Sequence, residues 1–213
     1  RVPGATAPVS GIMIDASGER MIATYRDPRI EAAQAPDPDR LLDNVSLLLA
    51  DNRFPDFVRP ICEAARRRGI PLLLDADRPT VEDDPLFALP SHIVFSSECL
   101  RETTGLSDLV AGLEHMAPRT RAFLAVSDGP NEVRFLQGGR LQTMPVFRID
   151  AVDTLAAGDV FHAGIALALA EGRDEVAAMR FGAAAAGLKC TRFGGSMGAP
   201  SRAEVEAFLA KQD

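Results

Sequence analysis

The residues best suited to chemistry lie in one segment, D-A-V-D-T-L-A-A-G-D, which runs from Asp150 to Asp159. The small residues Ala156, Ala157 and Gly158 open a long helix with a periodic apolar pattern. The first N–H groups of a helix have no internal partner, and the helix dipole makes that end positive. Because small side chains let an anion approach the backbone closely, the segment predicts an anion hole suited to a phosphate.

An acidic residue, Asp159, follows in the first turn of the same helix. A carboxylate beside a bound terminal phosphate can accept the proton of an alcohol, which is the geometry needed for phosphoryl transfer to a hydroxyl. A simpler interpretation exists, because Asp and Thr are common near helix starts. Asp153, Thr154 and Asp159 would then be ordinary capping residues, and the segment alone leaves both interpretations open.

Short apolar runs alternate with helical patterns through the middle of the chain. Buried strands are predicted at residues 45–49, 70–74, 93–95 and 122–126. Helices are predicted between Phe57 and Gly69, at 98–104, and in the last third at 156–171, 174–189 and 202–211. This alternation predicts an α/β fold with a mainly parallel sheet and helices on both faces.

Two hairpins flank these elements. The first joins residues 8–14 to 21–25 through a turn at Asp15–Gly18, and the second joins 132–136 to 141–146 around Gly138 and Gly139. Turn-forming residues between two apolar, partly β-branched runs indicate such hairpins. Residues 26–38 are polar and rich in proline, which predicts a loop.

Composition excludes several classes of function. The 23 basic and 30 acidic residues give a net charge of −7, so no basic surface for nucleic acid is expected. No apolar run approaches the roughly 18–20 residues of a membrane span. The three cysteines are far apart, which is typical of reduced, buried thiols in a cytosolic protein and predicts a cytoplasmic location. The histidines are isolated in sequence, and each is interpreted as surface or core filler.

The segment D-T-L-A-A-G-D-V-F-H-A-G-I-A resembles the C-terminal signature of the ribokinase-like, phosphofructokinase-B-type carbohydrate kinases, whose usual form is D-T-x-G-A-G-D. The tail through residues 191–195 and Pro200 is also similar to that family. The resemblance implies a three-layer α/β/α fold and ATP-dependent phosphorylation of a sugar hydroxyl. It makes Asp159 the general base, and Ala156, Ala157 and Gly158 the donors of N–H groups to the transferred phosphate.

The resemblance also implies the cofactors ATP and Mg²⁺, with K⁺ as an optional addition. Residues implied in nucleotide binding are Asp153, Thr154, Ser96, Ser127, Asp128, Gly129, Ala183 and Gly194. Of these, Ala183 would lie near the adenine and Gly194 near a monovalent-cation loop. The family's Mg²⁺–phosphate motif N-x-x-E is replaced here by Ser96-Ser97-Glu98-Cys99. Glu98 is the acidic residue of this segment, one position out of register, and is therefore the implied metal residue.

Two local matches refine the resemblance. The pairs Phe95-Ser96 and Lys189-Cys190 look like the subgroup that contains ketohexokinase and sulfofructose kinase, which implies a ketose-type substrate. In this family an N-terminal segment holds most of the sugar, and no such segment precedes Arg1. We therefore expect a longer parent protein, with its leading strands and much of its lid absent from this chain. Residues 1–25 would form a hairpin joining lid and main sheet, and residues 26–213 the nucleotide-binding domain.

Two alternatives stay open at this point. One is a kinase of the same fold that acts on a nucleoside or a sugar phosphate, and the other is a nucleotide-binding module without catalysis. The partner implied is a small-molecule sugar, with a homodimer kept open, and neither nucleic acid nor membrane is expected.

Overall fold

The computed structural model describes residues 2–14 and 20–212. The first hairpin is confirmed in its strands, since β1 (Val9–Ile14) and β2 (Arg20–Tyr25) pair antiparallel as a separate two-stranded sheet. Its predicted turn, Asp15–Gly18, lies outside the described residues. Large apolar side chains on both strands are exposed, among them Val9, Met13 and Met21.

A six-stranded sheet forms the centre of the molecule. Its strands, in both spatial and chain order, are β3 (Leu48–Asp51), β4 (Leu72–Ala76), β5 (His92–Ser96), β6 (Phe123–Ser127), β7 (Val133–Gln137) and β8 (Arg140–Met144). The first four are parallel, and β7 and β8 add an antiparallel hairpin at one edge. The sheet is therefore mainly parallel, as predicted, and the carboxyl ends of β3 to β6 meet along one edge.

Helices cover both faces of this sheet. They are α1 (Pro28–Glu31), α2 (Pro38–Leu41), α3 (Pro55–Arg67), α4 (Ser97–Thr104), α5 (Leu109–Met116), α6 (Ala157–Ala170), α7 (Glu175–Cys190) and α8 (Arg202–Leu209). Side chains alternate between the faces of a strand, so Leu73 of β4 packs toward α6 and α7, while Leu72 and Leu74 pack toward α3, α4 and α5. The result is the predicted three-layer α/β/α arrangement.

Some predicted boundaries were wrong. Observed β3 and β4 begin two to three residues later than predicted and continue through Asp51 and Asp75. The predicted strands stopped at Leu49 and Leu74, before these carboxylates, whereas parallel pairing of the backbone includes Asp51 and Asp75 in the ladder. The segment 26–38 was predicted as loop, but Asp27 caps α1 and Asp37 caps α2, in each case just before a proline. Asp at the cap and Pro at the first helical position signal a helix start.

Helix α5 was missed as well. It begins at Leu109, directly after the capping residue Asp108, whose side chain accepts a hydrogen bond from the Ala111 N–H at 2.8 Å. It packs Leu113 and Met116 against the sheet, and Gly112 lets it approach Leu100 of α4. The apolar spacing was readable in the sequence, but Gly112 weakens the helical signal of an eight-residue segment.

All three cysteines are buried thiols outside any disulfide in the described part of the chain, as predicted. None of the helices in the described part of the chain combines the length and the apolar character that a membrane span needs.

Candidate active site

The start of α6 lies at the carboxyl edge of the sheet, where it contacts β3 and β4. Asp159 is in the first turn of α6, and its side chain is exposed. A helix N-terminus favours a negative charge at this position. The carboxylate is therefore accessible to a ligand at the edge of the sheet where ligands commonly bind in parallel α/β folds.

The backbone before Asp159 has free donors. The Ala157 N–H donates to the Thr154 carbonyl oxygen at 3.2 Å, and the Val160 N–H closes the first helical turn onto Ala156 at 3.0 Å. Among the described residues, no hydrogen bond uses the N–H of Ala156, Gly158 or Asp159. A side chain at Gly158 would meet no atom within 4 Å, so this helix start is open to solvent. The anion hole was predicted to use the N–H groups of Ala156, Ala157 and Gly158. Those of Ala156 and Gly158 are free, and the N–H of Asp159 is available in place of the bonded Ala157.

Ala156 turns the chain into the helix. Its φ is +63°, in the left-handed region that favours glycine, and it caps α6 with no side-chain hydrogen bond. The resembled signature carries Gly at this position more often than Ala. Its backbone geometry explains that preference, because an L side chain there is strained.

Asp153 joins three parts of the site. Its Oδ1 accepts from the Leu155 N–H at 2.8 Å, and its Oδ2 accepts from the N–H groups of Gly194 and Gly195 at 3.0 Å each. The ammonium of Lys189 donates to the Asp153 carbonyl oxygen at 2.6 Å and lies 3.3 Å from Oδ2. These donors, the Gly195 N–H first, hold the pKa of the Asp153 carboxyl well below its usual range. Asp153 thus positions the loop that leads into α6.

A cleft of about 460 Å³ opens beside this loop. Its lining residues are Ile12, Asp153, Leu155, Ala156, Phe193, Gly194, Gly195 and Ser196. Phe193 is 81% exposed, and Ile12 comes from β1 of the separate two-stranded sheet. The cleft therefore joins three sequence-predicted site residues, Asp153, Ala156 and Gly194, to a hairpin that lies far away in the sequence.

The family model described as "pfkB family carbohydrate kinase" matches residues 1–202. This chain belongs to the pfkB family of carbohydrate kinases. The family resemblance read from the sequence is thereby confirmed.

Individual relatives agree with this assignment. A ribokinase of Bacillus subtilis is 31% identical over 179 residues, which cover 79% of this chain and 57% of the relative. An "ATP-dependent ribose-1-phosphate kinase" of Halopiger xanaduensis is 30% identical over 217 residues, which cover 98% of this chain and 69% of the relative. The solved structure titled "Crystal structure of a putative ribokinase from Agrobacterium tumefaciens" has a TM-score of 0.92 and 36% identity, over 99% of this chain and 70% of that one. The chain spans about half the length of the curated ribokinases first matched.

The remaining nucleotide candidates of this pfkB-family chain lie at the carboxyl ends of β5 and β6. Ser96 and Ser127 are register partners in the two strands. Ser96 Oγ caps α4 by accepting from the Cys99 N–H at 3.1 Å, and Ser127 Oγ donates to the Phe95 carbonyl oxygen at 3.3 Å. Both hydroxyls are thus used in the fold. Their binding roles stay predictions.

The other candidates have different surroundings. Asp128 accepts from the Asn131 amide at 3.1 Å, and Gly129 is exposed with a φ of +57°. Thr154 is exposed beside Asp153. The side chain of Ala183 is 7% exposed and belongs to the apolar core beneath the sheet, so it could offer a nucleotide little more than backbone.

The donor set can be tested against Mg²⁺. Glu98 is exposed in the first turn of α4, and over the ranges described no group of three or more His, Cys, Asp or Glu side chains is arranged to hold a metal ion. Mg²⁺ with a nucleotide is usually held by one or two carboxylates, phosphates and water. The exposed carboxylate of Glu98 is compatible with one such contact, and its role as the protein ligand stays a prediction.

K⁺ fits poorly at the loop where it was expected. Protein sites for such a cation are built from oxygen ligands, but Gly194 and Gly195 present N–H groups there. The carbonyl oxygen and carboxylate of Asp153 already face the Lys189 ammonium. The structure thus disagrees with the expectation of K⁺ at this loop.

Sequence reasoning missed a buried pair beneath the site. Nδ1 of His162 lies 2.8 Å from the Gly158 carbonyl oxygen and 3.3 Å from Asp75 Oδ2, and Nε2 lies 3.2 Å from the Val94 carbonyl oxygen. His162 was interpreted as surface or core filler, and it is buried, but both ring nitrogens face oxygens. The ring therefore connects β4 and β5 to the first turn of α6. The sequence signal that could have indicated this contact was the position of His162 four residues, or one helical turn, after Gly158.

The carboxyl of Asp75 is strongly perturbed. Burial raises its pKa to about 6, with His162 opposing the shift and the carboxylates of Asp77, Asp159 and Asp51 adding to it. Asp51 and Asp75 are register partners at the ends of β3 and β4. Negative charge is thus concentrated at this edge of the sheet, directly below the helix start.

Proposed function

We propose that this chain carries the phosphoryl-transfer half of an ATP-dependent sugar kinase. The observation that supports the proposal most directly is the exposed Asp159 carboxylate beside the free N–H groups of Ala156, Gly158 and its own backbone. Membership of the pfkB family supports the choice of a carbohydrate as acceptor.

In the proposed reaction, Asp159 accepts the proton of a sugar hydroxyl as the hydroxyl oxygen bonds to the γ-phosphorus of ATP. The bond from that phosphorus to the bridging oxygen breaks, and ADP leaves with the electron pair. The free N–H groups at the start of α6 donate to the oxygens of the transferred phosphoryl group, where negative charge is concentrated. Mg²⁺, when bound, neutralises charge on the nucleotide phosphates, with Glu98 proposed as its contact.

The first prediction concerns the base. Asp159→Asn removes the proton acceptor and keeps the shape of the side chain, so we expect kcat to fall by about 10²–10⁴-fold with little change in nucleotide affinity. Turnover is measured by coupled detection of ADP in the natural protein that contains this chain, and affinity by calorimetry with an ATP analogue.

Asp150→Asn is the matched control. Asp150 is an exposed aspartate of the same loop, so the chemical change is identical and kcat should stay near the wild-type value. Near-native turnover of Asp159→Asn would remove Asp159 as the base. Nucleotide binding without any turnover in the wild-type protein would favour the non-catalytic module instead.

A second acceptor class has its own support. The Halopiger relative matches 98% of this chain and is named for ribose 1-phosphate, so a sugar phosphate is a competing substrate. The relatives named ribokinase favour a pentose. The resemblance around Phe95-Ser96 and Lys189-Cys190 supports a ketose.

One substrate panel separates these candidates. Wild-type protein is assayed with ribose, a ketohexose, ribose 1-phosphate and a nucleoside, each at several concentrations with ATP and Mg²⁺. The acceptor with the highest kcat/KM identifies the class.

A homodimer and a cytoplasmic location belong to the same proposal, and sedimentation of the natural protein tests the dimer.

A further inference from the structure

Lys189 is one of only two lysines in a chain with 23 basic residues, and its side chain has no exposed surface. The other lysine, Lys211, is exposed near the C-terminus. A buried ammonium is costly unless it is paired with an opposite charge and hydrogen-bonded. Lys189 meets both conditions at a single residue, Asp153.

The contacts of the ammonium reach two different groups of Asp153. Nζ donates to the backbone carbonyl oxygen at 2.6 Å and lies 3.3 Å from Oδ2 of the carboxylate, which is itself only 8% exposed. Main-chain bonds reinforce the same connection, since the N–H groups of Val152 and Asp153 donate to the Cys190 carbonyl oxygen at 2.8 and 3.1 Å. The end of α7 is therefore joined to the loop that leads into α6.

This connection supports the candidate anion hole. The Asp153 carboxylate that Lys189 neutralises also accepts from Leu155, next to the left-handed Ala156, and from the Gly194–Gly195 turn. A charge of +1 beside one carboxylate and one carbonyl oxygen is what a bound monovalent cation would contribute here. Because the ammonium is part of the protein chain, it supplies this positive charge without the entropic cost of capturing a free ion.

We propose that the Lys189 ammonium is the resident cation of this loop, so that neither K⁺ nor another free monovalent cation is needed to stabilise it. Lys189 is then a positioning residue, which acts on the anion hole through Asp153. The part of this proposal that concerns turnover rests on the proposed kinase function, whereas the part that concerns stability does not.

The first test uses the wild-type protein. Its Tm is measured in chloride salts of K⁺, Na⁺ and tetramethylammonium at equal ionic strength, and kcat in the same salts wherever turnover is found. We expect the same Tm in all three salts, and kcat values within about 1.5-fold. A Tm several degrees higher in K⁺ than in tetramethylammonium, or activation by K⁺ of threefold or more, would overturn the proposal.

The second test removes the ammonium in two ways. Lys189→Ala leaves a cavity beside Asp153, whereas Lys189→Met fills most of the same space without charge. We expect both to lower Tm, and K⁺, NH₄⁺ or propylammonium to restore part of the loss in Lys189→Ala only. Lys211→Ala is the control and should resemble wild type in every salt. No rescue of a folded Lys189→Ala, or equal rescue of Lys189→Met, contradicts the cation role.

A third measurement does not depend on whether the variants fold. In wild-type protein with ¹⁵N-labelled lysine, a buried and hydrogen-bonded Lys189 should show a slowly exchanging NH₃⁺ signal that is unchanged between K⁺ and tetramethylammonium. Loss or displacement of that signal in K⁺ would mean that the ion enters the site. Because Tm and this signal need no substrate, they separate a failure of this proposal from a failure of the proposed function.

Discussion

At the scale of single residues, the candidate site depends on an alanine held in a conformation that suits glycine. Ala156 has a φ of +63° and precedes the helix in which, among the described residues, no hydrogen bond uses the N–H of Gly158 or Asp159. The left-handed turn is required because it directs the chain from Asp153 into α6. A methyl group in this conformation costs about 1–2 kcal/mol.

Ala156→Gly is expected to relieve that strain. Part of the gain is lost because glycine has more freedom in the unfolded chain, so a net stabilisation of about 0.5–1 kcal/mol remains. Thermal or urea unfolding measures the change. Ala157→Gly is the matched control, since Ala157 is the first helical residue of α6 and should lose about 0.5–1 kcal/mol. Equal destabilisation of both variants would mean that Ala156 is not strained.

At the scale of elements, α6 is held in place by its contact with α7. A Cβ at Gly182 would lie 2.6 Å from the Phe161 carbonyl oxygen, and one at Gly164 would lie 2.8 Å from the Gly182 Cα. Backbone meets backbone at this crossing, so neither glycine has room for a side chain. The position of the candidate anion hole therefore depends on two glycines that lie outside it.

Gly182→Ala should force the two helices apart and destabilise the protein by about 2 kcal/mol or more. Gly187→Ala is the control in the same helix, because its Cβ would make ordinary contact with Ile149 at 3.6 Å. That variant should be neutral or more stable by up to about 1 kcal/mol, owing to the better helix propensity of alanine. Urea unfolding measures both variants, and a Gly182→Ala protein as stable as Gly187→Ala would show that the helices can separate without cost.

At the scale of the whole molecule, the excess of negative charge is concentrated where the sheet and the helix start meet. The net charge is −7. Asp51 and Asp75 lie in the last residues of β3 and β4, and Asp77 follows β4 directly. Arg53 pairs with Asp77 and His162 with Asp75, but Asp75 Oδ1 and Asp77 Oδ1 are buried with no hydrogen-bond partner in the part of the chain that the structure describes. Stability is therefore expected to depend on pH through this cluster.

Because the folded pKa of Asp75 is about 6 and its unfolded value 3.8, the folded state binds the proton more tightly. This carboxyl therefore lowers stability as pH rises from about 4 to about 6. In Asp75→Asn, the free energy of unfolding relative to wild type should rise by about 1–3 kcal/mol between pH 4 and pH 7. Asp150→Asn, an exposed aspartate, should show no such rise. A flat or falling difference for Asp75→Asn would mean that the ion pair with His162 outweighs burial.

Local patterns in the amino-acid sequence were enough for the fold class and for much of the site. Capping residues and apolar periods predicted the helices α3, α4, α6, α7 and α8, and the segment from Asp153 to Asp159 identified the helix start with its acid. These features could be predicted because they depend on neighbours within a few residues. The pairing of Asp51 with Asp75 near the ends of β3 and β4, and the short helix α5, were missed, since partners distant in the chain decide them.

The roles of Lys189, His162 and Asp75 came only from the tertiary structure. Lys189 lies 36 residues from Asp153, and His162 lies 68 residues from Val94. Nothing near either side chain in the sequence distinguishes a paired, buried cation or ring from an ordinary one. The fold decides which segments meet, and thus whether a charged side chain is buried and which group neutralises it. The buried Lys189 ammonium and the raised pKa of Asp75 are therefore properties of the packed molecule.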